Sequence, residues 1–409
     1  TMLQKLLEFN PKTMTLRTES IAGITTFLTM SYILAVNTSI LSSTGMDKGA
    51  VFTATALATA LSTLLLAFMA KLPLAQAPSM GINAFFAFTL VQGMGYPWQV
   101  AMAALFVEGL LFILITFFNV REIVLNSIPA TLRYAISVGI GMFIAFIGLK
   151  NAGIIVSDPA TFVTFGPFTP VSVLALTGIL LSGLLVVKQV KGALFYSILI
   201  CTLIGIPLGV TTIPEGFLPI STPHSLAPTF CQFDFSQLFT LDMAVIIFTL
   251  LFMDMFDTIG TLVALTYRIG IVKENGEIPC AKETMLADAI GSTFGAILGC
   301  STITTYLESA SGVAEGGRSG FTSLVTGGMF LLSIFFAPIF LLIPGAATTG
   351  ALVLLGVFMM ESITQIDMKN IAEALPAFIT IITMVLTYSV ANLSLIHISE
   401  PTRPISISY

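Results

Sequence analysis

The chain contains apolar runs long enough to cross a bilayer, and one of these runs holds two aspartates. The run Leu241–Tyr267 contains Asp254 and Asp257, which lie about one turn apart on the same face of a helix. A carboxylate at that depth costs at least about 2.5 kcal/mol on insertion scales. Apolar residues continue on both sides of the pair, so we expect the two acids to lie inside the membrane. The alternative is a span that ends at the pair, with both acids among the lipid headgroups.

The composition places the whole chain in the membrane class. Only 9% of the 409 residues are charged, whereas about 25% are charged in a soluble domain. Runs of about 17 to 25 apolar residues, together with two shorter ones, predict the spans. The predicted spans are Ser20–Leu41, Ala50–Ala70, Ser79–Gln92, Trp98–Phe118, Leu132–Leu149, Val171–Val187, Ala193–Val210, Leu241–Tyr267, Glu283–Leu298, Thr305–Ala314, Gly320–Ile343, Ala346–Glu361 and Leu375–Ala391.

The distribution of Lys and Arg predicts the orientation of these spans. With the N-terminus in the cytoplasm, 13 of the 16 basic residues fall on the cytoplasmic side, only Lys48 and Lys150 fall outside, and Arg403 lies in the C-terminal tail. This bias follows the positive-inside rule, and the alternation holds only if both short runs cross the membrane. Residues 211–240 contain no Lys or Arg and many prolines, as expected for an external linker. We therefore expect two repeats, 1–210 and 241–392.

Two spans are short and interrupted, and they occupy corresponding places in the two halves. The third, Ser79–Gln92, follows the proline-containing segment 72–78, and the tenth, Thr305–Ala314, follows the Thr/Ile-rich segment 299–305. Proline removes a helical hydrogen bond, and β-branched residues favour extended backbone. Paired interrupted spans are typical of inverted-repeat transporters with a site at the midplane. We expect the extended segments to pair as short antiparallel strands, because backbone groups in the membrane need partners.

Polar residues concentrate where the two half-helices should begin. The unpaired backbone N–H groups and the positive dipole end of each half-helix should point into a shared cavity. Few Lys or Arg residues are available to neutralise the acids at these positions. Such acids are suited to hold a proton or a cation, or to accept hydrogen bonds from a substrate. The candidate substrate-binding residues are Ser79, Met80, Gly81, Asn83, Asp254, Tyr306, Leu307, Glu308 and Ser309. Asp257 and Asp254 are the candidate proton carriers. As alternatives, Asn83 caps its half-helix, Asp257 orients its own helix, and Glu19 and Glu108 are structural.

Several motifs resemble one family, the hypoxanthine/guanine/adenine permeases, which form the purine branch of the nucleobase–cation symporter-2 family. The motifs are E-S-I-A-G-I-T-T-F-L-T-M-S-Y-I-L-A-V-N (Glu19–Asn37), A-P-S-M-G-I-N-A-F-F-A-F (Ala77–Phe88), D-M-F-D-T-I-G-T-L (Asp254–Leu262), T-Y-L-E-S-A-S-G-V (Thr305–Val313) and G-G-R-S-G-F-T-S (Gly316–Ser323). They occur in the family's order, and the resemblance covers the chain from about Leu3 to Asn392.

The resemblance implies an all-α membrane protein of two inverted seven-span repeats. The repeats would form a core domain that carries the substrate and a gate domain that scaffolds a homodimer. By this resemblance, Asp254 and Glu308 match the acids that bind the base, and Asn83 matches the asparagine of the third span. Asp257 matches a second acid that is either a ligand or a proton carrier. Ser79 replaces an expected glycine, and its hydroxymethyl group would narrow the selectivity for the base.

The C-terminal segment departs from the family. Residues Leu393–Tyr409 contain Glu400, Arg403 and two prolines where a further span is expected. This segment resembles translated sequencing-adapter read-through. We therefore expect a non-native tail and a missing fourteenth span.

Three classes of function remain to be compared. The first is a proton symporter that imports purine bases by alternating access into a bacterium, across its inner membrane. The alternative is an anion exchanger or channel of the same fold, which needs a cationic site near Arg318. An intramembrane enzyme has no support, because no nucleophile–base spacing is present. Four cysteines and two histidines show no metal-ligand spacing, no cofactor is expected, and the lack of a basic patch gives no support to nucleic-acid binding.

Overall fold

The computed structural model describes residues 6–118, 130–269 and 280–386, which form a helical bundle with two small antiparallel sheets. The helices of the first half are α1 (Leu16–Met30), α2 (Tyr32–Ser42), α3 (Lys48–Met69), α4 (Met80–Ala84), α5 (Trp98–Phe117), α6 (Ala130–Asn151), α7 (Pro170–Val187) and α8 (Ala193–Gly205). Those of the second half are α9 (Leu241–Ile269), α10 (Ala281–Leu298), α11 (Ser309–Ala314), α12 (Gly320–Ser333), α13 (Ala337–Leu341), α14 (Gly345–Met360) and α15 (Ile371–Leu386). Every predicted span overlaps at least one of these helices.

Six helical stretches within the described residues are long and apolar enough to cross a membrane. Their mean hydropathy ranges from 1.5 to 2.4, and they are Leu16–Ser42, Lys48–Met69, Trp98–Phe117, Pro170–Val187, Gly320–Leu341 and Gly345–Gln365. Shorter apolar helices, including Met80–Gly93 and Ala193–Gly205, lie between them. The chain is therefore a multi-pass membrane protein, as predicted.

Several local features were not predicted from the sequence. The first span is divided at Ser31, and the third continues from α4 as a π-helix over Phe85–Gly93. A hairpin of strands β2 (Ile155–Asp158) and β3 (Phe162–Phe165) follows α6. The eleventh span passes through a 3₁₀ turn before Pro338, because proline cannot donate the next helical hydrogen bond. These irregularities leave the order of the spans unchanged.

The two interrupted spans do pair as antiparallel strands. Strand β1 (Gln76–Pro78) pairs with β4 (Ile303–Thr305), with Ala77 opposite Thr304. A two-stranded sheet has two outer edges, and its unpaired groups are costly away from water. In each strand, one side-chain hydroxyl forms hydrogen bonds with both the backbone N–H and the backbone carbonyl of the first residue. The Thr63 hydroxyl on α3 bonds the N–H and the carbonyl of Gln76 over 3.1 and 3.0 Å. The Ser292 hydroxyl on α10 does the same for Ile303 over 3.1 and 2.9 Å.

The helices pack in two groups. One group, the core, contains α1–α5 and α9–α13 with the strand pair β1–β4. The other, the gate, contains α6–α8, α14 and α15. Small residues bring the gate helices into close contact, because a Cβ built on Gly350 of α14 would lie 2.4 Å from the carbonyl oxygen of Gly178 on α7. These groups correspond to the predicted core and gate domains.

Segments predicted to face the cytoplasm meet at one end of the bundle. Lys71 pairs with Glu8 over 3.7 Å, and Lys191 pairs with Glu315. The Gly320 N–H donates to the Leu7 carbonyl at the same end. Their proximity agrees with the charge distribution, although the orientation in the membrane stays a prediction.

The segment 211–240 contains turns but no helix or strand between α8 and α9, as a linker would. The repeat boundaries derived from it stay predictions. The tail Leu393–Tyr409, with the segment in which a fourteenth span was expected, lies outside the described residues.

Candidate functional site

The crossing of β1 and β4 places the starts of α4 and α11 beside each other. The Ser79 N–H donates to the Thr302 carbonyl over 2.9 Å, and the Tyr306 N–H donates to the Ala75 carbonyl over 3.0 Å. These bonds extend the pairing beyond the strands at both ends. Ser79 and Glu308 are thereby held at the points where the backbone changes from extended to helical.

Glu308 lines a cavity between the core and the gate. The cavity has a volume of about 250 Å³. Its walls come from α1, the start of α11, the segment that joins α7 to α8, and α14, and they include Thr29, Ser311, Gly192 and Phe358. The Tyr32 hydroxyl, on α2, donates to Glu308 Oε1 over 2.5 Å. Glu308 therefore lines a cavity of small-molecule size, and a buried tyrosine holds one of its carboxyl oxygens.

Asp257 is not part of the lining of this cavity, but it is connected to the start of α4. The Ser79 hydroxyl donates to Asp257 Oδ2 over 3.0 Å, which connects α9 to the start of α4. Asp257 also interacts electrostatically with Glu308. Although it lies among buried neighbours, Asp257 itself is exposed, so accessible space reaches the junction between the two half-helices. Ser79, Asp257 and Glu308 are the sequence-predicted residues that the fold brings together here.

Asp254 lies in a different environment from Asp257. It is completely buried, and its Oδ2 accepts a 3.2 Å hydrogen bond from the Ser292 hydroxyl on α10. It also interacts electrostatically with Glu108 on α5, which is itself completely buried. Of these two acids, Asp257 is therefore the exposed one and Asp254 the buried one. A substrate role for Asp254 stays a prediction without a structural contact to carry it.

A third buried acid, Asp288 of α10, extends this group. It accepts hydrogen bonds from the Thr258 hydroxyl of α9 and from the backbone of Thr305 in β4. The Thr258 hydroxyl lies 3.0 Å from that of Thr304, so the acid is connected to the strand that leads to Glu308. We name Glu108, Asp254 and Asp288 the acid cluster.

Asn83 is held by its own amide network. Its Nδ2 donates to Asn37 Oδ1 over 2.5 Å, and Asn37 Nδ2 in turn donates to Thr55 and to the Cys300 carbonyl. Asn83 Oδ1 is buried and has no donor among the described residues. Asn83 therefore joins α4 to α2, and its side chain makes this bond rather than the helix cap that was the alternative to a substrate contact.

The other predicted site residues have structural contacts. The Tyr306 hydroxyl donates to the Pro78 carbonyl over 2.5 Å, and Ser309 Oγ accepts from the Ala75 N–H over 3.0 Å. Met80 is buried, and Leu307 is 44% exposed. Gly81 is half-buried, and a Cβ built on it would lie 3.0 Å from Ile140 of the gate helix α6. Gly81 thus belongs to the contact between core and gate.

Arg318 does not supply a cationic site at the half-helix starts. Its guanidinium donates to the carbonyls of Val313 and Gly317, which lie at the other end of α11. The adjacent carboxylate of Glu19, completely buried, accepts from the Arg318 N–H and from the Ser319 hydroxyl at the start of α12. Glu19 is therefore structural, as expected, and the geometry does not favour the anion-exchanger alternative.

Sequence reasoning did not select Tyr32, Asn37, Glu108 or Asp288 for the site. Each is a polar or acidic residue within a predicted apolar span, and that signal alone was available for all four. Tyr32 and Asn37 lie inside the first motif of the family resemblance, and Glu108 is predicted to be structural. In the described part of the chain, no group of three His, Cys, Asp or Glu side chains has an arrangement suited to a metal ion.

Two broken helices that meet at a buried strand pair, between a core and a gate, define a membrane transporter rather than an enzyme. Residues 17–396 match the sequence profile of the xanthine/uracil permeases, described as Permease family, and the chain belongs to this family. It is 41% identical over 392 residues to adenine permease AdeP of Escherichia coli (strain K12), covering 96% of this chain and 87% of the relative. It is also 41% identical over 402 residues to guanine/hypoxanthine permease PbuG of Bacillus subtilis (strain 168), covering 95% and 91%.

Solved structures confirm the fold. The transmembrane domain of the cyanobacterial bicarbonate transporter BicA superposes with a TM-score of 0.68 at 17% identity, covering 92% of this chain and 97% of that domain. The murine anion transporter Slc26a9 gives a TM-score of 0.64 at 13% identity, covering 97% of this chain and 72% of that chain. At such low identity the likeness concerns the fold alone, which is the 7+7 inverted-repeat transporter fold.

Proposed function

We propose that this protein imports purine nucleobases (hypoxanthine, guanine or adenine) by proton symport, through alternating access. The observation that carries the proposal is the carboxyl group of Glu308, which lines the cavity between core and gate and is oriented by Tyr32. A purine ring presents N–H donors on its edge, and a fixed carboxylate accepts such bonds strongly. Relatives that transport adenine and guanine or hypoxanthine support the same class of substrate.

Ser79 and Asp257 would provide further polar contacts for the base. Their mutual hydrogen bond leaves a second carboxyl group at the accessible junction, close enough to Glu308 to interact with it. Lys191 also lines the cavity, but its ammonium group pairs with Glu315. The balance of groups around the cavity therefore favours a ligand that donates hydrogen bonds over an anion.

Alternating access would follow from movement of the core against the gate. Core and gate approach closely at Gly81, where a Cβ would lie 3.0 Å from Ile140. The cavity between them is lined by Lys191, which pairs with Glu315 at one end of the bundle. We propose that this end faces the cytoplasm of a bacterium and that the protein lies in its inner membrane. We also propose a homodimer assembled through gate helices, whose exposed apolar side chains include Leu180 and Leu184 of α7. The mass of the protein in lipid nanodiscs tests this assembly.

Uptake into proteoliposomes tests the proposed function. Labelled adenine, guanine, hypoxanthine, uracil and sulfate are offered in turn, with an inward proton gradient and without one. We expect gradient-dependent accumulation of at least one purine, with no accumulation of sulfate. Sulfate uptake without purine uptake would support the anion exchanger instead, and purine accumulation that follows sodium and ignores pH would contradict proton coupling.

A further inference from the structure

A second cavity lies at the other end of the gate helix α8 from the cavity of Glu308. The Glu308 cavity is lined by Gly192 and Ala193, where α8 begins, whereas the second cavity is lined by Val210, which follows the end of α8. The 13 residues of α8 span about 20 Å, at about 1.5 Å per residue. The second cavity has a volume of about 490 Å³, which is within the range of small-molecule sites. It is therefore separate from the proposed substrate site, and we name it the linker cavity.

The walls of the linker cavity come from the segments that connect core and gate. The chain leaves α8 of the gate through Val210 and enters the linker, which contributes Phe217 and His224 to the wall. It returns from α13 of the core to α14 of the gate through residues 342–344, which also line the cavity. Lys48 lines it from the start of the core helix α3. A ligand in the linker cavity would therefore contact both crossings between core and gate.

Lys48 places an ammonium group in this wall. Its Nζ donates to the Leu341 carbonyl at the end of α13 over 3.0 Å, and two of its three N–H donors remain for a ligand. Neither of the two ion pairs found among the described residues includes Lys48. The described residues that line the cavity include no Asp or Glu. The adjacent carboxylate of Asp47 caps α3, and Glu215 of the linker is exposed outside the wall. The ammonium group is therefore available to an anion.

The imidazole of His224 lies next to Lys48. A Cβ built on Gly49 would lie 2.2 Å from His224 Cδ2 and 3.2 Å from His224 Nε2, so the ring packs directly against the first turn of α3. The linker is held there by the Ser221 N–H, which donates to the Phe335 carbonyl over 3.0 Å. No hydrogen bond to the imidazole is found within the described residues. An imidazole offers one N–H donor when neutral and two when protonated, so it can join the ammonium group in binding an anion.

The rest of the wall combines hydroxyl groups with apolar surface. Thr212 and Ser221 carry the hydroxyls, and Phe217 is among the apolar side chains. An ammonium group, an imidazole and two hydroxyls suit an anion with several acceptor oxygens, and Lys commonly binds phosphate as a point charge. Leu218 and Ile220, beside these linker residues in the chain, are 69% and 58% exposed and could contact the acyl chains of a lipid.

We propose that the linker cavity binds a phosphate group between the ammonium group of Lys48 and the imidazole of His224. The phosphate comes either from the headgroup of an anionic phospholipid or from free phosphate in solution. In both cases the phosphate oxygens accept hydrogen bonds from the same two side chains. The site is distinct from the proposed purine site and does not depend on which base is transported.

Three probes added to purified, delipidated protein in detergent test the site and distinguish the two sources. They are inorganic phosphate, dioctanoyl phosphatidylglycerol, and dioctanoylglycerol, which lacks the phosphate. A ligand that binds only the folded protein stabilises it by mass action, so the rise of the unfolding midpoint with probe concentration gives the dissociation constant. We expect phosphatidylglycerol to bind and dioctanoylglycerol not to bind. Binding of inorganic phosphate as well would show that free phosphate is sufficient, whereas binding of phosphatidylglycerol alone would assign the site to a lipid headgroup.

Variants of the two side chains locate the binding. Lys48→Met keeps the apolar stem and should weaken the affinity for the phosphate probe at least about tenfold, because a hydrogen bond to a charged group is lost. Lys48→Arg keeps the positive charge and should retain most of the affinity, which a merely structural role for the Leu341 contact does not require.

Two further variants make the result specific. Lys150→Met removes the other basic residue predicted on the same side of the membrane, does not touch the cavity wall, and should leave the affinity unchanged. His224→Gln should weaken the affinity even if Lys48→Met fails to fold. Equal binding of dioctanoylglycerol and phosphatidylglycerol would overturn the proposal, as would the absence of binding by both phosphate probes. Unchanged affinity in Lys48→Met, or an equal loss in Lys150→Met, would overturn it as well.

Discussion

The hydroxyl of Tyr32 donates a 2.5 Å hydrogen bond to the carboxyl group of Glu308 and so joins the first membrane span to the half-helix of the tenth. Tyr32 is completely buried, whereas Glu308 lines the cavity between core and gate. The contact fixes the orientation of the acid that we assign to the base. Preorganisation of this kind reduces the cost of ordering a side chain when the ligand binds.

Tyr32→Phe removes this hydrogen bond and keeps the aromatic ring. The loss of one such bond costs about 1 kcal/mol, or roughly a fivefold loss of purine affinity, because Glu308 has to be ordered by the ligand itself. Equilibrium binding to purified protein measures the effect, with Tyr196→Phe on the gate helix α8 as the control. Affinity equal to that of the parent protein would mean that Tyr32 does not orient the site.

Thr63→Val tests the support of the strand crossing. The variant keeps the shape of the side chain but leaves the buried N–H and carbonyl of Gln76 without the hydroxyl that bonds them. We expect a loss of about 1 to 3 kcal/mol in stability, measured as a lower midpoint of thermal unfolding in detergent.

The matched control lies one turn away on the same helix. Thr59 is completely buried, and its hydroxyl has no hydrogen-bond partner among the described residues. Thr59→Val should therefore leave the midpoint unchanged or raise it. Equal midpoints for the two variants would show that the hydroxyl of Thr63 is not needed at the strand edge.

Gly350→Ala tests the packing of the gate. The added methyl group would lie 2.4 Å from the Gly178 carbonyl oxygen and 2.6 Å from Ser182 Oγ, so α14 and α7 have to separate. We expect a lower unfolding midpoint and weaker transport. Gly183→Ala, where no atom lies within 4 Å, is the control and should be neutral. A neutral Gly350→Ala would contradict the close approach of the two helices.

Most of the architecture could be predicted from the sequence because the membrane imposes a few strong rules. Apolar length located the spans, as with α5, predicted to end at Phe118 and observed to end at Phe117. Paired helix-breaking segments predicted the pairing of β1 with β4, since backbone in the membrane must find partners. The hairpin β2–β3 was not predicted, because backbone outside the membrane can form hydrogen bonds with water and need not pair with another strand.

The site was predicted less completely, since side-chain direction depends on packing that the sequence does not state. Asp254 and Asp257 share one face of α9, yet one meets Ser292 and Glu108 and the other meets Ser79. A rotation of about 60° around the helix separates them, enough to reach different neighbours. The sequence also did not indicate that the side-chain amide of Asn83 donates a hydrogen bond to Asn37, 46 positions earlier in the chain.

Binding of purines to purified protein with Glu308→Gln tests the central claim most directly. The glutamine keeps the size of the side chain but replaces an acceptor oxygen by a donor, which leaves a mismatch of about 1 to 3 kcal/mol against an N–H of the base. Glu215→Gln, an exposed acid of the linker, is the control. We predict that Glu308→Gln weakens the affinity for the transported purine at least about tenfold while Glu215→Gln leaves it unchanged. Unaltered affinity in Glu308→Gln would contradict the assignment of the substrate site to this cavity.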